Sequence, residues 1–136
     1  MKRTGETGPS TAATGARAEQ VGQRFLEARG LRVLAKNFRC RAGELDLVMV
    51  DGPQLVVVEV RYRARPGFID PAATVTATKR RRLVHAAARF LQHRPAFRDH
   101  AMRFDVLALS GPLEAARCDW IRGAFSADDV QNFGDS

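Results

Sequence analysis

Cysteine is scarce in this chain, with two residues, Cys40 and Cys118, among 136. Neither lies in a CxxC pair or a compact Cys/His cluster, so the spacing excludes a disulfide scaffold and a structural zinc site. The two read as reduced, partly buried thiols. Long apolar runs are also missing: stretches such as Leu55–Val58 are far shorter than the roughly 20 residues that cross a bilayer. The basic start of the chain, Met1–Gln20, has no apolar stretch behind it of the kind a secretory signal needs. No membrane partner is expected, and the working expectation is a soluble, cytoplasmic protein. Acid is in deficit, with 15 Asp plus Glu against 22 Lys plus Arg, a formal net charge of +7. That surplus favours an anionic partner such as nucleic acid, although arginine-rich surfaces also arise for solubility alone.

The apolar content, 45% beside 27% charged residues, is enough for one packed domain and argues against wholesale disorder. Residues 1–14 are rich in Thr, Gly, Ala and Ser without apolar periodicity and read as a flexible leader. From Ala18, apolar residues at Val21, Phe25 and Leu26 recur at helical spacing, so a helix is predicted over 16–29, closed by Gly30. Leu31, Val33 and Ala35 open a strand, and residues 37–43 read as a connection. Residues 44–50 and 54–61 are β-rich and flank Asp51-Gly52-Pro53, the pattern of an antiparallel hairpin. Residues 63–71, with two prolines and a glycine, read as a loop with a mobile tip. A second helix follows over 72–93, clearest over 79–92 and stopped by Pro95. Met102–Leu109 forms a strand, and a final strand is expected around Cys118, Trp120 and Ile121. Residues 126–136 read as a flexible acidic tail. The predicted order is α-β-β-β-α-β-β, an α/β fold with helices across a mixed sheet, without repeats or an interdomain linker.

Asp46 and Glu59 stand out because they interrupt Leu, Val and Met. If the hairpin turn centres on Gly52, paired positions sum to about 104 or 105, which puts Asp46 opposite residue 58 or 59. Adjacent carboxylates repel unless a proton, a cation or a basic side chain intervenes, and their oxygens suit Mg2+ or Mn2+. Arg61 could then neutralise a phosphate. The competing reading is an ion network at the sheet rim, in which Asp46 and Glu59 pair with Arg41, Arg61 or Arg63. Glu44 shares Asp46's strand face and could support it from behind. Arg39 and Arg41 precede the acids. The run Lys79-Arg80-Arg81-Arg82 is the strongest basic segment, but a helix spreads it around its circumference, so only part can meet one phosphate backbone. His85, His93 and His100 complete no zinc spacing, and Ser110 lacks a nucleophile-elbow motif.

Taken in order, several segments are together specific: Glu19 in the first helix, Asn37-Phe38-Arg39-Cys40-Arg41-Ala42-Gly43-Glu44-Leu45-Asp46-Leu47, Val58-Glu59-Val60-Arg61-Tyr62-Arg63, Val75–Leu83 and Arg103-Phe104-Asp105-Val106. Through them the chain, over about residues 14–125, resembles the YraN-like family of small bacterial proteins, related in fold to restriction endonucleases and archaeal Holliday-junction resolvases. The resemblance implies one restriction-endonuclease-like domain over 15–125. It implies a site in which Glu19 is a helix-borne acid, Asp46 and Glu59 hold Mg2+ or Mn2+, and Val60 offers its carbonyl. Arg61 stands where that pattern usually has lysine, and Ala18 where glycine usually precedes the helix glutamate. A guanidinium neutralises phosphate but is a poor substitute for an amine that positions water. The implied function is binding of DNA or another nucleic acid, with metal-dependent cleavage of structured or branched DNA. Arg39, Arg41, Arg63 and Lys79–Arg82 are the expected phosphate contacts, and a homodimer is the expected form for symmetric cuts. The alternatives are a noncatalytic nucleic-acid-binding module and a protein-interaction scaffold with a degenerate site.

Overall fold

The computed structural model describes residues 11–65 and 75–128. In chain order the elements are α1 (Thr11–Glu27), β1 (Arg32–Cys40), β2 (Gly43–Asp51), β3 (Gln54–Arg63), α2 (Ala77–His93), β4 (Ala101–Ser110) and β5 (Arg117–Phe125). Short 3₁₀ turns at Pro95–Phe97 and Leu113–Ala115 flank β4. The strands form one sheet in sequence order, antiparallel except for the parallel pair β3–β4. Parallel strands need a crossover, and α2 lies in the one between β3 and β4. The expected α/β class, with a mixed sheet flanked by helices in restriction-endonuclease-like order, is what the chain adopts.

Both sheet faces are covered. Under α2, Leu83, Ala86, Ala87 and Phe90 pack on Val48, Val57, Phe104, Val106 and Phe125. Under α1, Ala18 and Leu26 pack with Leu47, Met49, Val56, Val58, Leu107 and Leu109. This explains why Leu55–Val58 is apolar without alternation: a central strand with two buried faces has no polar side. Gly22 lets α1 approach the sheet closely, since a Cβ there would stand 2.9 Å from Leu107 Cδ2. Gly30, at φ 97°, then ends the helix. Its N–H donates to Glu27 O at 3.0 Å, and the Leu31 N–H donates to Leu26 O at 3.2 Å, the paired closure that a left-handed glycine permits.

Several boundaries differ from the sequence expectation. Helix α1 begins at Thr11 rather than residue 16, so residues 11–14, assigned to the leader, are helical. Those residues are Thr-Ala-Ala-Thr, of which Ala12 and Ala13 are exposed, so no apolar stripe betrays the turn. Strand β1 continues through Cys40, so the expected connection over 37–43 shrinks to a turn at Arg41-Ala42. A register shift between Val33 and Ala35, and Asn37 at φ 54°, break the alternation that would have revealed the strand. Helix α2 starts at Ala77, after Thr76, whose side-chain oxygen accepts from the Lys79 N–H at 3.1 Å. Ala127, placed in the tail by the sequence reading, packs against the α2-side core. The rest of the expected leader (1–10), the tip of the 63–71 loop together with residues up to 74, and the tail beyond Asp128 lie outside the described residues. No helix among the described residues is long and apolar enough to cross a membrane.

Candidate functional site

The β2–β3 hairpin turns at Gly52-Pro53, with Gly52 at φ 59°, and its paired positions sum to 105 (Val50 with Leu55, Leu47 with Val58). Backbone pairing ends at Leu47–Val58. One step further the same register brings Asp46 opposite Glu59. There the strands part: the Val60 N–H donates to Asp46 Oδ2 at 3.0 Å, a side-chain oxygen taking the place of a strand carbonyl. Leu45, beyond the break, packs with the α2-side core rather than on the face of Leu47. The pair of acids therefore sits where a hairpin opens, its approach set by the turn and its exposure by the parting.

Two acids are buried in the described chain, Glu59 and Asp105, and they differ in how they are satisfied. Asp105 accepts from Arg103 Nε at 2.9 Å and Nη2 at 3.1 Å, from Trp120 Nε1 at 2.9 Å and from the Gly123 N–H at 2.9 Å. Arg103 also reaches Asp51 at 3.1 Å and Gln54 at 2.9 Å, tying the β2–β3 turn to β4 and β5. Every polar atom of that carboxylate has work within the fold. Glu59 Oε2 lies 3.4 Å from Arg61 Nε and 3.6 Å from Lys79 Nζ, but Oε1 is buried without a hydrogen-bond partner. Removing an ionised oxygen from water without a donor is costly, and a proton or a cation would relieve it.

The electrostatics follow from that placement. Burial, then the nearby Asp46 charge, pushes Glu59 up to about 7, against the lowering pull of Lys79 and Arg61. Burial also raises Asp46, opposed by the Val60 hydrogen bond and the Lys79 charge. Glu19 reaches the same place from α1: partial burial and the charges of Asp46 and Glu44 push it up to about 7. Asn37, opposite Asp46 in the β1–β2 register, joins these acids. With its amide turned to donate, it reaches Glu19 Oε1 at 3.0 Å and Glu44 Oε2 at 3.2 Å. Its left-handed backbone is one that Asn tolerates better than most residues.

The fold thus gathers Glu19, Glu44, Asp46, Glu59, Arg61 and Lys79 from α1, β2, β3 and α2. The basic run divides as helical geometry demands. Lys79 turns to Glu59, whereas Arg80 donates to Val75 O at 3.0 Å and lies over the Phe125 ring at 5.3 Å. Arg81 donates to Thr78 Oγ1 at 3.4 Å. Arg82 is exposed, and its Cβ borders the β1–β2 turn at Gly43. Arg39 is exposed and pairs with Glu44 at 3.5 Å, while Arg41 and Arg63 are exposed at strand ends. Sequence reasoning missed Asn37, because a residue assigned to a connection has no predicted neighbours. It also gave Lys79 no distinction from the three arginines after it. Among the described residues, no group of three or more His, Cys, Asp and Glu is arranged to hold a metal ion.

The sequence pattern of the uncharacterised protein family UPF0102 matches residues 18–109, a stretch containing Glu19, Asp46, Glu59, Arg61 and Lys79. A UPF0102 protein of Pseudomonas putida (strain W619) is 44% identical over 117 residues, 85% of this chain and 95% of its own. One from Dechloromonas aromatica (strain RCB) is 47% identical over 120 residues, covering 88% of this chain and 94% of the relative. A third, from Bordetella avium (strain 197N), is 51% identical over 116 residues, 83% of this chain and 74% of its own. Matches of this extent and identity bear out the kinship expected from the motifs: the chain belongs to the UPF0102 family.

Proposed function

We propose that the chain binds nucleic acid across the opened end of the β2–β3 hairpin and hydrolyses a phosphodiester bond there, with structured or branched DNA as the substrate class. The observation that carries this reading is Glu59 Oε1, buried beside the Asp46 carboxyl group with no N–H donor to it, whereas the other acid buried among the described residues is fully hydrogen bonded. Two carboxylates suit Mg2+ or Mn2+, which keep several waters and take further ligands from substrate phosphate, so a larger set of protein ligands is not required. Asp46 and Glu59 would hold the ion, with the Val60 carbonyl as a third donor. Bound there, it would make water more acidic and stabilise charge on the phosphoryl group.

The chain's own side chains do the rest. Arg61 and Lys79 lower the cost of keeping Glu59 ionised. Glu19 and Glu44, joined through Asn37, border Asp46 and set its surroundings. Exposed Arg41, Arg63 and Arg82 offer phosphate contacts that orient a duplex without reading its bases. One chain carries one site, so paired incisions need two copies or two encounters. A cytoplasmic location, where nucleic acid and Mg2+ meet, fits this chemistry.

A noncatalytic binding module is the second reading, favoured by the guanidinium at Arg61 and by cations already pairing Glu59. A cleavage panel decides between them: linear, flap, splayed and four-way DNA with Mg2+ or Mn2+, using the wild type beside Asp46→Asn and Glu59→Gln. The proposal expects cleavage that both substitutions lower about 100-fold or more. Binding without cleavage identifies the module, and turnover indifferent to both substitutions rejects the site.

A further inference from the structure

Resting on the hydrolytic reading above, we infer that Lys79, delivered by the first turn of α2, is the amine of the active site and orients the attacking water, while Arg61 holds the phosphate. Lys79 Nζ and Arg61 Nε stand 3.6 Å and 3.4 Å from the same oxygen, Glu59 Oε2, so two cations from different elements converge on one carboxylate. Their chemistry separates them. An ammonium is compact and has three rotatable donors, so it can hold a carboxylate with one and a water with another. A guanidinium is a planar fork suited to two phosphate oxygens.

The scaffold supports the same division. Lys79 is anchored where α2 begins, its backbone N–H donating to Thr76 Oγ1 at 3.1 Å. The helix behind it is docked by Leu83, Ala86, Ala87 and Phe90. Its side chain remains about one third exposed, enough to meet water and substrate, whereas Glu59 is almost wholly enclosed. Arg80 and Arg81 are turned to Val75 and Thr78. The member of the basic run that the helix carries to the acids is therefore its one lysine. In the step it serves, the water oxygen bonds to phosphorus as the bond from phosphorus to one ester oxygen breaks. The proton lost by the water passes to bulk solvent, and the departing alkoxide takes one from it.

The test uses the full chain and the DNA substrate that the wild type cleaves, comparing Lys79→Met, Lys79→Arg and Arg61→Met. Single-turnover rate at saturating enzyme, DNA affinity by fluorescence anisotropy in Ca2+ and thermal melting are measured for each. Lys79→Met is expected to lower the rate about 100-fold while changing affinity by less than about threefold. Arg61→Met is expected to weaken affinity about tenfold, the loss of a charge-assisted contact. Lys79→Arg, which keeps the positive charge that Met removes, is expected to melt like the wild type yet lose at least about tenfold in rate. Full-rate cleavage by Lys79→Arg or Lys79→Met, or a Lys79→Met defect confined to affinity, overturns the assignment of Lys79. The reading of the site survives that result if Asp46→Asn is inactive. A wild type that cleaves no member of the panel overturns both.

Discussion

Glu59 and Asp105 occupy the same sheet, both buried, and their surroundings predict opposite responses to mutation. Asp105 neutralises Arg103 and anchors Trp120 and Gly123, so Asp105→Ala removes the fully buried partner of a mostly buried guanidinium, which keeps Asp51, and leaves the Trp120 and Gly123 N–H groups without their acceptor. Breaking such a pair costs about 3–5 kcal/mol, to be measured by denaturant unfolding. Glu59→Gln removes a charge that the fold accommodates poorly and is expected to raise the melting temperature near pH 8 by roughly 4 °C. The pH dependence has a definite sign. Glu19 and Glu59 titrate near 7 in the folded chain, above their ordinary value of 4.5, so between those limits the folded state holds more protons than the unfolded. Their contribution to stability is complete below about pH 4.5 and is lost as pH rises through about 7. Melting temperature should therefore contain a component falling across that window, shallower in Glu59→Gln; an identical slope in wild type and variant contradicts it.

At the scale of elements, the site depends on how closely α1 lies on the sheet. Glu19 is three residues before Gly22, where a Cβ would meet Leu107 Cδ2 at 2.9 Å. The terminal methyl of Leu107 can yield to one carbon, so Gly22→Ala is expected to be mild. Gly22→Val forces the helix outward, at about 1–3 kcal/mol, and should depress any Glu19-dependent cleavage although no acid is altered. Thermal melting and the cleavage assay together check this. The hairpin, the apolar faces of both helices and the order of elements were legible in the sequence because each follows from local periodicity or turn chemistry. The start of α1 and the length of β1 were not. An exposed helical turn has no apolar stripe, and a strand with a register shift and a left-handed Asn loses its period of two.

Across the whole molecule, the +7 balance is distributed unevenly among roles. Arg80, Arg103 and Lys79 are engaged with the fold or with Glu59, while Arg41, Arg63 and Arg82 face solvent. Each neutralised phosphate contributes about one unit to the salt dependence of binding. Arg63→Ala and Arg82→Ala are therefore each expected to reduce the slope of log affinity against log salt by about one. Arg80→Ala should leave that slope intact and lower stability instead. Binding isotherms at several salt concentrations and parallel melts separate the two outcomes.

Sequence alone determined an α/β order of elements with a surplus of positive charge, and a hairpin that brings Asp46 opposite residue 58 or 59. Periodicity, turn residues and strand register are properties of neighbouring positions, so they survive without coordinates. Tertiary structure decided that Glu19 and Asn37 join the Asp46–Glu59 pair, that Glu59 is buried with one oxygen lacking an N–H donor, and that Lys79 is the member of its run that pairs with Glu59. These facts depend on how α1 and α2 dock on opposite faces of the sheet, a relation between distant segments that no local pattern encodes.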